Sequence, residues 1–223
     1  MTTLESPTAP GRSLSRLVYD AVREGIILGH YPQGIRLPEA RIGEELEVSR
    51  VPLREAVPLL ERDGFVRTSP RRGAVVTTWT AKAIDDLFDV RLALETAAAG
   101  RAARAVARGA STENLDAALR AAHHEVEEHD GYAIARASTS YHEAVVELAA
   151  NELMLAMMRT ISGRMTWLFY LTRGLPAEDA YHDHVALRDA IASGNERVAE
   201  SVAYAHIERD RQPSFEAMRE LLA

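Results

Sequence analysis

Of the eight histidines in this 223-residue chain, three have apolar company at helical spacing. His142 shares a face with Val145, Val146 and Ala149, His184 with Ala180, Leu187 and Ile191, and His206 with Ala199, Val202 and Ala203. A single inward histidine is ordinarily a hydrogen-bonded core residue. Three imidazoles from three helices can instead converge on Zn²⁺, Ni²⁺ or a similar ion and leave positions open for water or a ligand. His182 lies two residues from His184 and so points elsewhere, while His123, His124 and His129 sit among Glu125, Glu127, Glu128 and Asp130 and read as boundary or surface. No carboxylate stands beside the three histidines at a suggestive spacing. Arg91 and Glu95, four apart on a face with Ile84, Leu87, Phe88 and Ala98, allow two readings. One is an intrahelical ion pair; the other is a guanidinium fork that clamps a ligand carboxylate.

A second cluster lies between Leu37 and Gly64, where two short helices are joined by a tight turn. Ser49 can cap the second helix, Pro52 is tolerable in its first turn, and Gly64 marks its end. Leu53, Val57 and Leu60 make a buried stripe, leaving Arg50, Val51 and Arg54 on the open face. Arginines so placed can fork onto guanine O6 and N7 in the major groove, or onto phosphate. Leu37, Ile42 and Leu46 pack beneath, and Arg41 joins Ser49, Arg50, Val51, Pro52 and Arg54 as an expected DNA contact. Beyond Gly64, Phe65–Thr68 and Ala74–Thr78 read as strands around a turn. Its Arg71 and Arg72 can reach phosphate or the minor groove, and Gly73 lets backbone approach closely.

The run L-x-E-x-x-I-x-x-x-L-x-V-S-R-x-P-x-R-E-A, followed by L-E-R-D-G-F-V, resembles the winged helix-turn-helix of GntR-type bacterial transcription regulators over residues 14 to 77. Two positions depart from that pattern. Glu47 stands where the turn glycine is usual, and Pro58 lies inside the recognition helix. The resemblance extends through Tyr141-His142…Asn151-Glu152-Leu153, Asp183-His184…Ala190-Ile191 and Ala199…His206, which are similar to the FCD effector domain of the FadR subfamily. It implies a six- or seven-helix bundle holding a divalent metal on an aspartate and three histidines, with a small organic acid completing the coordination. His142, His184 and His206 match. The aspartate position, four residues before His142, is Ser138, a poorer ligand than a carboxylate.

The elements that must carry these residues are mainly helical. Alanine is abundant, aromatic residues are few, and Gly and Pro are sparse. Residues 1–12 lack an apolar period and are expected to be a disordered tail. Residues 13–78 are expected to form the winged helix-turn-helix, opened by a helix with Leu14, Leu17, Val18, Ala21, Val22 and Ile26 on one face. Residues 80–223 are expected to form an all-α ligand-binding and dimerisation domain, with its sixth helix closed by Pro213. The net charge of −7 does not oppose DNA binding, because it is unevenly spread. Residues 1–80 hold 11 Arg against 10 Asp and Glu; the rest hold 15 Lys and Arg against 23 acids. Absent cysteine excludes disulfides and thiolate metal sites, and no apolar run approaches the ~18 residues of a membrane span. The chain is expected to be cytoplasmic and nucleoid-associated.

The expected function is that of a ligand-responsive regulator, not an enzyme. It would bind a palindromic double-stranded operator as a homodimer, with no membrane partner, and repress until a small carboxylate effector binds beside Arg91, Glu95 and Ser138. Two rivals remain at this point. One is a His₃-metal hydrolase or lyase tethered to DNA; the other is a constitutive DNA-binding protein with a vestigial pocket.

Overall fold

A computed structural model describes residues 13–69, 73–128 and 130–222. The expected tail at 1–12 lies outside these, as do Arg71 and Arg72. The chain divides into two compact units, Met1–Thr78 and Trp79–Ala223.

The first unit is built from helices α1 (Leu14–Ile27), α2 (Glu39–Glu45) and α3 (Arg50–Arg62) and the strands β1 (Val66–Ser69) and β2 (Gly73–Val76). Ser13 caps α1 by accepting from the Arg16 N–H. Val18, Val22 and Ile26 are buried as their spacing requires, with Tyr19 and Ile27 beside them, whereas Leu14 stays exposed. The Tyr19 hydroxyl donates to Asp63 at 2.6 Å, tying α1 to the end of α3. Burial and that carboxylate push the Tyr19 phenol up to about 12. The strands pair antiparallel, Val66 facing Val76 and Ser69 facing Gly73. Glu61 accepts from both the N–H and the hydroxyl of Thr68, which fastens β1 to the last turn of α3. Glu47 does adopt a left-handed conformation, with φ of 53°, at a cost of roughly 1–2 kcal/mol.

The second unit comprises α4 (Ala81–Ala107), α5 (Glu113–Glu128), α6 (Gly131–Leu148), α7 (Glu152–Leu171), α8 (Ala177–Ala192), α9 (Glu196–Ala217) and α10 (Arg219–Leu222). Thr80, Asp130, Asn151 and Asn195 each cap the helix that follows by accepting from its first free N–H groups. Helix α4 is the centre of the bundle and packs on α6, α7, α8 and α9. Its small residues Ala98, Ala99, Gly100, Ala102 and Ala103 are buried and let neighbours approach. A Cβ on Gly100 would stand 2.7 Å from the Glu200 side chain of α9. Leu115, Leu119, Tyr141, Val145, Leu187 and Ile191 complete that core.

One expected boundary is wrong. Helix α9 does not stop before Pro213 but continues to Ala217. Proline removes one backbone bond and costs up to ~3 kcal/mol in a helix interior. Packing beyond it offsets that cost, since Ser214 and Met218 are both buried. Among the described residues, no helix is long and apolar enough to cross a membrane.

Candidate functional site

His142 on α6, His184 on α8 and His206 on α9 are each about 2 % exposed, and their ligand nitrogens all lie within 4.8 Å of one another. The Nε2 atoms of His142 and His184 are 3.3 Å apart. Nitrogens bound to one ion at about 2.1 Å stand roughly 3.0–3.4 Å apart in octahedral or tetrahedral geometry, so that pair already has the required separation. Both ring nitrogens of His206 are buried without a hydrogen-bond partner, a state that costs about 1–3 kcal/mol per group unless something fills it. The residues therefore fit a divalent ion.

The structure places carboxylates where the sequence showed none at a suggestive spacing. Glu95 Oε2 lies 2.7 Å from His142 Nδ1, and Glu95 Oε1 accepts from Arg91 Nε at 2.8 Å. Burial alone would push the Glu95 carboxyl up, but Arg91 and His142 outweigh it and hold the group at about 2. An ionised carboxylate can only accept, so His142 carries its proton on Nδ1 and turns a bare Nε2 lone pair to the centre. Asp183 Oδ2 lies 3.6 Å from His206 Nδ1, too long for a hydrogen bond but close enough to matter electrostatically. That imidazole, together with a hydrogen bond from Arg209, outweighs partial burial and pulls the Asp183 carboxyl down. Burial pushes His142 and His184 down, so both are neutral imidazoles, the form that binds metal. Tyr141 fixes His184 from two sides, stacking on its ring at 4.4 Å and donating its hydroxyl to the His184 carbonyl at 2.8 Å.

Arg91 is wholly buried, pinned by Glu95 and by the faces of Phe88 and Phe169. Its Nη2 lies 3.4 Å from His142 Nε2, and its Nη1 has no hydrogen-bond partner. So the ion pair exists, and a donor of the same guanidinium remains open. Ser138 is half-buried and sits on the wall of a cavity of about 420 Å³ beside His184. Arg91 and Glu95 are not on that wall. Asp183 and Arg209 are, and sequence reasoning missed both. Asp183 is adjacent to His184 in the chain, yet its partners lie on α9, a contact that only the packing of α8 on α9 creates.

In the first unit, Arg50, Val51 and Arg54 share the exposed face of α3, Val51 at 63 %. Leu53, Ala56 and Leu60 lie beneath, whereas Val57, expected in that stripe, is only half-buried and Ala56 takes the place it was given. Ser49 stands at the N-cap but its hydroxyl makes no cap bond, and Pro52 is buried with the core stripe, not on the open face. Arg41 is exposed and paired with Glu45 at 3.1 Å. Gly73 has φ of 73° and lies against the Arg36 guanidinium, where an added Cβ would stand 3.2 Å from Nε.

Residues 14–76 match the family model of bacterial regulatory proteins, gntR family, and residues 86–209 match the FCD domain. A helix-turn-helix-type transcriptional regulator from the TAR-I ttuE-ttuC' intergenic region of Agrobacterium vitis is 34 % identical over 143 residues, covering 60 % of this chain and 79 % of that one. The gluconate operon transcriptional repressor of Bacillus licheniformis is 28 % identical over 168 residues, covering 75 % and 68 %. Among solved structures, a GntR transcriptional regulator from Rhodococcus sp. RHA1 superposes with a TM-score of 0.78 at 23 % identity, covering 92 % of this chain and 99 % of its own.

Proposed function

This chain belongs to the gntR family of bacterial regulatory proteins and carries an FCD domain, and from that premise we propose a repressor that binds a palindromic operator as a homodimer and releases it when an organic acid occupies a metal centre on His142, His184 and His206. Transcriptional regulation through the helix-turn-helix, and ligand binding by the effector domain, are what the family does. The dimer, the operator symmetry, the sign of regulation and the metal are the proposal. In domain terms, residues 13–78 form the DNA-binding part and 80–223 the effector and dimerisation part.

The observation that carries the proposal is the convergence of three buried histidine nitrogens within 4.8 Å, oriented by Glu95. A bound Zn²⁺ or Ni²⁺ would supply positive charge to hold an anionic oxygen. The chain's own residues do the rest. Glu95 fixes the His142 tautomer, Tyr141 fixes the His184 ring, and Arg91 Nη1 offers a charge-assisted donor to an acid at the centre. Glu95, the carboxylate nearest the histidines, is engaged by two partners and is poorly placed to act as a general base for water. That arrangement favours a sensor over a hydrolase. Regulation follows if the acid binds the DNA-free state more tightly than the DNA-bound state.

A labelled fragment from upstream of the chain's own coding region, titrated with the full-length protein, tests the reading. Zn²⁺ with an organic acid should lower operator affinity, typically 5- to 150-fold for such coupling, and chelation should abolish the response. An operator affinity indifferent to both additions would sink it.

A further inference from the structure

We infer that the acid sensed by this chain carries a bulky apolar body, an aryl or medium-chain alkyl group, lodged in the cavity beside His184 with its carboxylate at the histidine end. The inference rests on the reading of the bundle as an effector domain and specifies the ligand of that site. The cavity measures about 420 Å³. At about 30 Å³ per water-sized group, it holds on the order of fourteen non-hydrogen atoms, several times what acetate would fill.

Its walls decide what those atoms are. Val126, Ile134, Phe169, Leu175, Pro176 and Pro213 face it from four helices and the loop before α8. Apolar surface makes up most of the wall, and Ser138, Thr172, Tyr181, His182 and Ser214 are its uncharged polar groups, so the hydroxyls of a sugar acid beyond the few these can pair would be desolvated at a net cost. A second carboxylate fares no better. Arg209 is already committed to Asp183, and Arg173 donates to the Tyr170 carbonyl. Asp179 and Asp210 also line the cavity and would repel an anion. Ser138 also lines the cavity, neutral where a carboxylate would compete with the acid for positive charge. One carboxylate and an apolar remainder is the combination that most of this wall accepts without desolvating a polar group of the ligand.

The test uses the full-length protein with Zn²⁺ bound and calorimetric titration with acetate, butyrate, hexanoate, octanoate, 3-phenylpropionate and gluconate. Affinity should rise about three- to fourfold per added methylene, 3-phenylpropionate should rank with the longer acids, and gluconate should bind no better than acetate. Ile134→Gln and Val126→Gln, made separately, should each flatten the chain-length dependence. Absence of that dependence, or tighter binding of gluconate, overturns the inference while leaving an acid-responsive regulator intact. Dependence that survives in both variants places the apolar body elsewhere and overturns it too. If none of the acids binds, the effector reading itself fails, and this inference with it.

Discussion

Glu95 binds His142 and Arg91 at once, and this double engagement is what makes three polar side chains tolerable at full burial. Removing one member of such a group leaves an uncompensated charge and costs about 3–5 kcal/mol. The neighbouring departure, Ser138, is more open to manipulation because it is only half-buried and lies one helical turn before His142. Ser138→Asp is expected to raise Zn²⁺ and Ni²⁺ affinity by on the order of tenfold, through an added anionic ligand. Calorimetry on both forms checks this; equal affinities would mean that another group already fills the position or that the histidines hold no metal. Acid should also matter. Burial lowers the folded-state pKa of His184 well below its ordinary value, so the unfolded chain takes up a proton that the folded chain refuses. The stabilisation is thus fully present above about pH 6.5 and is lost as pH falls, by about 1.4 kcal/mol per pH unit for one such group. His142 is lowered in the same direction. Chelator-treated protein is expected to melt at a lower temperature at pH 5.5 than at pH 7.5, and a melting point that rose on acidification would contradict the neutral assignment.

Helix α3 shows how far an element can be read from its spacing. Its open face and the Leu53 and Leu60 positions of its stripe were legible because a 3.6-residue period leaves little choice about which side meets the core, while Ala56 rather than Val57 fills the turn between them. Arg50→Ala and Arg54→Ala are each expected to weaken operator binding by about 1–3 kcal/mol with the fold intact. Fluorescence anisotropy at physiological salt measures it, and wild-type affinity in both variants would remove α3 from the major groove. Pro52 was less legible: its tolerance in the first turn follows from backbone chemistry, but its burial follows from packing. The same distinction explains α9. Local rules end a helix before Pro213, whereas burial of Ser214 and Met218 carries it on. The contacts of Glu95 and Asp183 with the histidines were hidden for a related reason. Their partners are 47 and 23 residues away in the chain, at His142 and His206, and contacts between helices leave no period in the sequence.

At the scale of the molecule, one helix-turn-helix reads too short a half-site for useful specificity against a genome. Full-length protein without DNA is therefore expected to sediment at twice 24.6 kDa at micromolar concentration, and a monomer there would count against the symmetric operator. Leu153 and Met157, one turn apart on α7 and 77 % and 57 % exposed, are apolar surface of the kind a second subunit covers.

The open Nη1 of Arg91 has a consequence for what kind of information the protein handles. The neutral imidazoles of His142 and His184 and a guanidinium already neutralised by Glu95 offer an acid little net attraction, so the chain alone is a weak receptor. With an ion on the proposed centre, the same residues become a strong one. By reciprocity, the acid then holds the ion as firmly as the ion holds the acid. Such a switch would behave as a logical conjunction, in which the acid registers only while the ion is in place.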